Sequence, residues 1–304
     1  MKISKEANPV LSYKDFVDEV INDYKIAVTS RECSILGRRE VLTGKAKFGI
    51  FGDGKEVPQL AMAKSFKNGD FRSGYYRDQT FMMAIGELTS LEFFAGLYAH
   101  TDLNYDPMSA GRQMGGHFTT HSLDDQYEWK DLTTQKNSSS DISPTASQMP
   151  RLLGLAQASK IYRLHKEFDS KKFSKNGNEI AWGTIGNAST SEGLFFEVIN
   201  AAGVHQVPMI VNIWDDEFGI SVDNSYQTIK SSISEALKGF ETWTARFGLE
   251  PCDSDRNQES KPTHLAAHRS AQSFELVIAK GCLFHASCPS EESVAPPLPP
   301  PALD

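Results

Sequence analysis

The chain has 304 residues, a net charge of −8 and 39% hydrophobic residues, enough length and apolar content for a folded domain with a substantial core. Lys and Arg form no run that could follow a nucleic-acid backbone, and no stretch approaches the roughly 20 apolar residues of a membrane span. We therefore expect no nucleic acid and no membrane as partners. The N-terminus carries neither a secretory nor a transit signal, which predicts a cytoplasmic location.

The first half of the chain shows mainly helical periodicity. Apolar spacing predicts helices over residues 13–29, 31–44 and 59–66, a pair of short helices over 80–98, and a helix over 147–166. Residues 102–140 form a long polar stretch, and a loop of this length inside a compact domain is more often functional than structural.

The second half of the chain predicts a strand, a helix and another strand. EIAWGTIG at 179–186 and VPMIVNIW at 207–214 are typical of buried strands, and Ser191 is available to cap a helix over 191–205. This order indicates an α/β fold with a parallel sheet and helices on both faces. An amphipathic piece over 225–240 completes a domain predicted for residues 1–240. From 241 to 304, polar residues without periodicity and a proline-rich end predict an atypical, disordered tail.

Polar side chains follow both predicted strands at their carboxyl ends, where open α/β sheets bind ligands. Asn187 follows the first strand and Asp216 the second. Between them, GNASTSEG at 186–193 leads into a helix N-terminus, whose free amides and positive dipole end suit a diphosphate. A carboxylate, an amide oxygen and the backbone carbonyl of Phe218 suit Mg²⁺. The pattern favours a magnesium–diphosphate site; the alternative is that Asn187 and Asp216 merely cap turns.

This region resembles the thiamine diphosphate-dependent 2-oxo acid dehydrogenases, in the alpha-type subunit or fused half that binds the cofactor's diphosphate. The family motif opens with Gly-acid-Gly, continues as Ala-(Ser/Thr)-(Ser/Asn)-(Glu/Gln)-Gly, and closes with Asn-Asn after the next strand. Here GNA stands at 186–188, STSEG at 189–193 and DDEFGIS at 215–221, so the acid and the amide have exchanged places. The resemblance spans roughly residues 10–240. It implies the thiamine diphosphate-binding fold, with the metal held by Asn187, Asp216 and Phe218 and the diphosphate near Gly186, Ala188 and Ser189.

The resemblance also implies roles for residues upstream of this motif. Tyr76 and Arg77 match a Tyr-Arg pair near the diphosphate, where arginine offers a charge-assisted fork to phosphate oxygens. GRQM at 111–114, followed by His117, resembles the branched-chain members and implies that Arg112 and His117 act near the substrate. SPTASQ at 143–148 is similar to a segment that contacts the cofactor, here through Thr145, and that helps bind K⁺ in branched-chain members.

The resemblance implies a decarboxylating component of a 2-oxo acid dehydrogenase complex, most like the 2-oxoisovalerate (branched-chain) type, that passes its acyl group to a lipoyl-bearing acyltransferase. Family members draw part of the site from a pyrimidine-binding (beta-type) domain or subunit. We expect this chain, which resembles a truncated fused alpha/beta form, to be inactive without that partner. The alternatives are a pyruvate or acetoin dehydrogenase component, another thiamine enzyme such as a transketolase relative, and a non-catalytic truncated fragment. A second motif-like sequence, GDG at 52–54, follows no apolar strand and predicts a turn.

Overall fold

The computed structural model of the protein describes residues 12–168, 170–230, 232–237, 240 and 275–280. The α-helices of this part are α1 (Tyr13–Leu42), α2 (Glu56–Ser65), α3 (Gln79–Ala84), α4 (Ser90–Leu97), α5 (Gln148–Leu164), α6 (Gly193–His205) and α7 (Ile233–Leu237). The strands are β1 (Phe71–Ser73), β2 (Asn137–Ser138), β3 (Ala181–Gly186), β4 (Met209–Asp215), β5 (Phe218–Gly219), β6 (Val222–Asp223) and β7 (Glu275–Lys280). Within these ranges no helix combines the length and apolar character needed to cross a bilayer.

Five strands form one parallel sheet in the order β2-β1-β3-β4-β7. The longest pairing within the domain predicted from the sequence joins β3 to β4, with Gly186 opposite Trp214 at the carboxyl end. The strands β5 and β6 form a separate antiparallel hairpin directly after β4. The predicted parallel α/β sheet is therefore confirmed.

The sheet is covered by helices on both faces. Alternate side chains of β3 and β4 pack on one side against α5 and α6, in a cluster that includes Ile185, Val211, Ile213, Leu152 and Phe195. The intervening side chains, among them Trp182, Ile210 and Trp214, pack on the other side with residues of α1 to α4 such as Cys33, Met62, Phe81 and Phe93. Because both faces are buried, these strands are continuous apolar runs rather than alternating ones.

The two consecutive helical segments predicted over 13–29 and 31–44 form one helix. This helix, α1, runs for 30 residues from Tyr13 to Leu42. Polar residues on its packed face pair with α3. The Ser30 hydroxyl lies 2.7 Å from that of Thr80, and the Gln79 amide nitrogen donates to the Ser30 carbonyl at 2.9 Å. Buried polar groups that are hydrogen-bonded in this way do not interrupt a helix.

The last part of the chain contains two short elements and one strand. The amphipathic segment over 225–240 contains most of a 3₁₀ turn, Asn224–Tyr226, and the five-residue helix α7. The strand β7 lies inside the range 241–304 that was expected to be a disordered tail, and it pairs in parallel with β4 from Ile210 to Asp215. Its sequence ELVIAK is rich in residues that favour strands, but its polar flanks concealed that signal. The rest of the expected tail lies outside the described residues.

Candidate functional site

The order of the strands creates a crevice at the carboxyl edge of the sheet. The chain leaving β1 goes to β2 on one side, whereas the chain leaving β3 goes to β4 on the other side. Because β1 and β3 are neighbours, the segments that follow them diverge. Such a switch point is where open α/β sheets bind ligands. The segments that begin at Gly74 and Asn187 therefore border the candidate site.

Asn187 lies at the end of β3 and is only 3% exposed. Its backbone N–H donates to the Trp214 carbonyl of β4 at 3.3 Å, which ties the loop to the neighbouring strand. Its own carbonyl accepts the Thr190 hydroxyl at 2.6 Å, at the start of a 3₁₀ turn over Ala188–Ser191. The Asn187 side-chain nitrogen donates to the Asn224 side-chain oxygen at 2.9 Å.

Asp216 follows β4 and has a different partner. Its Oδ2 atom accepts the Lys55 ammonium at 2.6 Å, in an ion pair whose lysine side chain is 6% exposed and whose aspartate side chain is 27% exposed. Its Oδ1 atom makes a long contact of 3.4 Å with the backbone N–H of Phe218. The sheet therefore brings Asn187 and Asp216 to one edge, but each side chain contacts its own partner. Lys55 lies 161 residues away in sequence, so no local signal identified it.

The residue before Asp216 is the more buried of the two aspartates. Asp215 is 5% exposed, and its Oδ1 atom accepts the Glu217 backbone N–H at 3.0 Å and the Asn224 side-chain nitrogen at 3.5 Å. Asn224 thus contacts both Asp215 and Asn187. Sequence analysis did not single it out, because asparagine is a common residue at the start of a turn.

The start of α6 differs from the prediction in its capping. Ser191 does not cap the helix: its hydroxyl donates to the Gln227 carbonyl at 2.9 Å, and the helix begins at Gly193 without a side-chain cap. Ser191 belongs to the preceding 3₁₀ turn, so the N-cap position of α6 is Glu192. Ala188 and Ser189 lie on this turn and are partly buried. The β5 strand packs on Ala188, since a Cβ atom added at Gly219 would lie 2.7 Å from the Ala188 methyl group.

The segment after β1 brings two tyrosines and an arginine to the same edge. Tyr75 is 5% exposed, its hydroxyl has no hydrogen-bond partner among the described residues, and it would lie 3.5 Å from a Cβ atom added at Gly186. Burial raises the pKa of the Tyr75 phenol well above its ordinary value. The Nε atom of Arg77 is also buried without a partner in this part of the chain. Tyr76 lies between its neighbour and the long loop, with ring centroids 5.1 Å from Tyr75 and 6.3 Å from His117.

A buried ion network supports this segment from below. Arg72 is fully buried and donates to Asp78 at 2.8 Å, to Asp141 at 3.0 Å and to the Tyr75 carbonyl at 2.9 Å. Burial disfavours the charged guanidinium, but Asp141 and Asp78 raise the pKa of Arg72 above its ordinary value. Asp78 also accepts the indole N–H of Trp214 at 2.9 Å, which connects the network to β4.

The long loop brings one predicted substrate residue close to the site. His117 is 7% exposed, and its ring nitrogens lie 3.0 Å from the Met114 carbonyl and 2.8 Å from the Ser143 hydroxyl. The loop backbone approaches the segment after β1 so closely that a Cβ atom added at Gly116 would lie 2.9 Å from the Tyr76 carbonyl. Arg112 is exposed and donates to the Ser109 carbonyl at 3.3 Å. Thr145 is exposed as well.

The described residues contain no group of three or more His, Cys, Asp or Glu side chains able to hold a metal ion. The GDG sequence at 52–54 forms the predicted turn, and its aspartate pairs with Arg38 at 2.7 Å. Gly52 has a packing role there, since a Cβ atom would lie 2.3 Å from the Arg77 carbonyl.

Comparison with known proteins identifies the family. The model of the family described as "Dehydrogenase E1 component" matches residues 24–243, which is more than half of the chain. The chain belongs to the dehydrogenase E1 component family. A curated relative, the 2-oxoisovalerate dehydrogenase subunit alpha of Bacillus subtilis (strain 168), is 29% identical over 199 residues, covering 65% of this chain and 51% of the relative. This chain therefore spans about half the length of the relative it matches.

The family assignment confirms the resemblance to thiamine diphosphate-dependent 2-oxo acid dehydrogenases of the alpha type. The family match covers residues 24–243, which include the strands β1 to β6 and every residue predicted for the site. The roles predicted for individual side chains of this E1 component remain predictions. The geometry described above adds three residues to the candidate site: Lys55, Asn224 and Tyr75.

Proposed function

We propose that this E1-family chain is the diphosphate-binding, alpha-type half of a decarboxylating 2-oxo acid dehydrogenase component. The observation that carries the proposal is the convergence at the β1–β3 switch point of Tyr76, Arg77, Asn187 and Asp216. The family match supports thiamine diphosphate as the cofactor. When bound, thiamine diphosphate supplies the electron sink for loss of carbon dioxide from a 2-oxo acid.

The chemistry of the donors supports a magnesium ion in this site. Mg²⁺ prefers oxygen ligands and is usually held by one or two protein groups together with phosphate oxygens. Within the described residues nothing donates to the Asn187 side-chain oxygen, and Asp216 supplies a carboxylate at the same edge. We assign the metal to Asn187, Asp216 and the Phe218 carbonyl. Lys55 neutralises Asp216, so its ammonium must move aside as the metal binds or turn toward the diphosphate.

We assign the diphosphate to Tyr76, Arg77 and the turn that contains Gly186, Ala188 and Ser189. The unpartnered Nε atom of Arg77 and the unpartnered hydroxyl of Tyr75 support this assignment. Buried polar atoms without partners are rare in proteins, and an anion or a ligand commonly explains them. We also propose that the exposed Thr145 contacts the cofactor and that residues 143–148 help to bind a potassium ion.

For the substrate we propose a branched-chain 2-oxo acid, with His117 and Arg112 on the substrate side. The name of the relative and the GRQM sequence at 111–114 support this choice. His117 is held between Met114 and Ser143 and lies beside Tyr76, as expected for a histidine near the reacting atoms. Pyruvate, acetoin and sugar phosphates are the competing substrates.

For partners we propose a pyrimidine-binding (beta-type) domain or subunit and a lipoyl-bearing acyltransferase. Large apolar side chains on the first half of α1 are exposed, including Phe16 (53%), Val20 (48%), Ile21 (46%) and Tyr24 (69%). An apolar face of this kind supports a protein partner. The chain alone is expected to lack turnover, and its cytoplasmic location stays a prediction.

Calorimetric titration of the chain in complex with its beta-type partner, with thiamine diphosphate and Mg²⁺, tests the proposal, using the D216A variant against N200A. Asn200 is an exposed residue of α6 outside the site, so N200A should bind as the wild type does, whereas D216A should lose metal-dependent binding. Metal-dependent binding that D216A leaves unchanged would contradict the assignment. Assays of the chain with its beta-type partner on 2-oxoisovalerate, pyruvate and sugar phosphates then separate the substrate classes. Activity that is highest on sugar phosphates would favour a transketolase relative, and absence of cofactor binding would favour a non-catalytic protein.

A further inference from the structure

Three polar side chains form a line at the candidate metal site. Asp215, at the end of β4, contacts the side-chain nitrogen of Asn224 at 3.5 Å. The side-chain oxygen of Asn224 in turn accepts the side-chain nitrogen of Asn187 at 2.9 Å. Asp215 and Asn187 are 5% and 3% exposed, so both ends of the line are shielded from water.

The order of donors and acceptors in this line is fixed by Asp215. A carboxylate can only accept hydrogen bonds, and Asp215 already accepts the Glu217 backbone N–H at 3.0 Å. Asn224 must therefore turn its NH₂ group toward Asp215 and its oxygen toward Asn187. That oxygen needs a donor, so Asn187 must present its NH₂ group to Asn224. The oxygen of Asn187 is then directed away from Asn224, and no described residue donates to it.

Asn224 is itself held in place by the backbone. Its N–H donates to the Glu217 carbonyl at 2.9 Å, and the Asp223 side chain caps the 3₁₀ turn that contains it by accepting the Ser225 N–H at 2.8 Å. These contacts fix the position of the Asn224 backbone, and the contact of its side chain with Asp215 orients the amide.

We propose that Asn224 and Asp215 are positioning residues that set the flip of the Asn187 amide, so that its oxygen faces the metal ion. This inference rests on the proposed function, which makes Asn187 a metal ligand. The physical need follows from the side chain: a carboxylate has two equivalent oxygens and binds a metal in either flip, whereas an amide has one oxygen and one NH₂ group that repels a cation. An asparagine in a ligand position therefore requires an outer partner that an aspartate would not.

The test is a double-mutant cycle with a binding readout. The affinity for Mn²⁺ of the chain in complex with its beta-type partner is measured by electron paramagnetic resonance with thiamine diphosphate present. The variants compared are wild type, N224A, N187D and N187D/N224A. Loss of an outer-shell partner commonly costs about 10–100-fold in metal affinity, so N224A should weaken binding at least about tenfold in the Asn187 background. In the N187D background the same substitution should change the affinity less than about twofold, because either carboxylate oxygen can bind. N200A is the matched Asn-to-Ala control and should have no effect.

Equal losses from N224A in both backgrounds would overturn the inference, because they would assign Asn224 a merely structural role. The isosteric variant D215N guards against misfolding of N224A and should likewise lose more affinity with Asn187 than with N187D. A wild-type complex of the chain with its beta-type partner that binds no Mn²⁺ would overturn the proposed function and the inference with it. Wild-type binding that N224A leaves intact would overturn the inference alone.

Discussion

Replacing Arg72 by methionine removes the centre of the buried ion network beneath the candidate site. The side chains of Arg72, Asp78 and Asp141 are all 0% exposed, so water cannot take over the contacts that are lost. Asp78 would keep two donors, Trp214 and Thr184. Asp141 would keep the backbone N–H of Phe118 at 3.1 Å, with its second oxygen unpartnered among the described residues. Both carboxylates would lose their counter-ion, and Asp141 would be left with fewer hydrogen-bond donors than Asp78.

Breaking a buried ion pair by removing one partner costs about 3–5 kcal/mol, against a total stability of about 5–15 kcal/mol for a typical protein. We expect R72M to lower the free energy of unfolding by about 3–5 kcal/mol at neutral pH. Burial already raises the pKa of Asp141, and removing the arginine raises it further. A carboxyl whose folded pKa is raised favours the folded state when protonated, so the penalty is small near pH 4 and grows as pH rises through the folded pKa.

Urea unfolding followed by circular dichroism measures this cost, with R38M as the control. Arg38 pairs with Asp53 through side chains that are 52% and 26% exposed, so its loss should cost no more than about 1 kcal/mol. The reasoning is refuted if R72M costs no more than R38M, or if its penalty falls as pH rises from 5 to 8. Because Arg72 also holds the Tyr75 carbonyl, R72M should weaken thiamine diphosphate binding as well.

Three further predictions follow from groups near or behind the site. K55M should raise the affinity for Mg²⁺ alone by about fivefold, as expected if a cation worth about 1 kcal/mol no longer competes for Asp216; calorimetry that finds a lower affinity would contradict this. Y75F should leave the free protein as stable or up to about 1 kcal/mol more stable, since the lost hydroxyl is buried and unpartnered, and a melting temperature several degrees lower would argue against that account. Cys33 should react with iodoacetamide much more slowly than free cysteine, because it is 4% exposed and burial raises its thiol pKa; rapid labelling in peptide mass spectrometry would disprove this.

The parts of the fold that the sequence predicted are those with a strong local period. The strands β3 and β4 and the helices α5 and α6 were located to within a few residues, because apolar runs and helical spacing are both properties of adjacent residues. The two-residue strand β2 and the strand β7 were not predicted, since both depend on pairing with partners far along the chain. The same limit applies to the packed face of α1, where the partners of Ser30 come from α3.

The candidate site likewise contains residues that a local sequence signal identified and residues that depend on contacts far along the chain. Asn187 and Asp216 could be located because each directly follows a strong strand, and parallel strands place their carboxyl ends together. Lys55 could not, because its ion pair with Asp216 spans 161 residues. Ser191 was assigned the wrong partner because a capping residue and a loop-binding residue look alike in sequence, and only the position of Gln227 decides between them.

The exchange of acid and amide in the motif gives the two strand ends different requirements. On β4 the carboxylate of Asp216 carries a charge that needs a counter-ion before a metal arrives, and Lys55 supplies one at 2.6 Å. On β3 the amide of Asn187 carries no charge, but only one of its two terminal atoms is an oxygen. The side-chain oxygen of Asn224, 2.9 Å from the Asn187 nitrogen, sets which way the amide is oriented. An acid on β3 would need no such orientation, and an amide on β4 would leave Lys55 without its partner. N187D should therefore relieve the requirement for Asn224 in metal binding while leaving the effect of K55M on the affinity for Mg²⁺ unchanged.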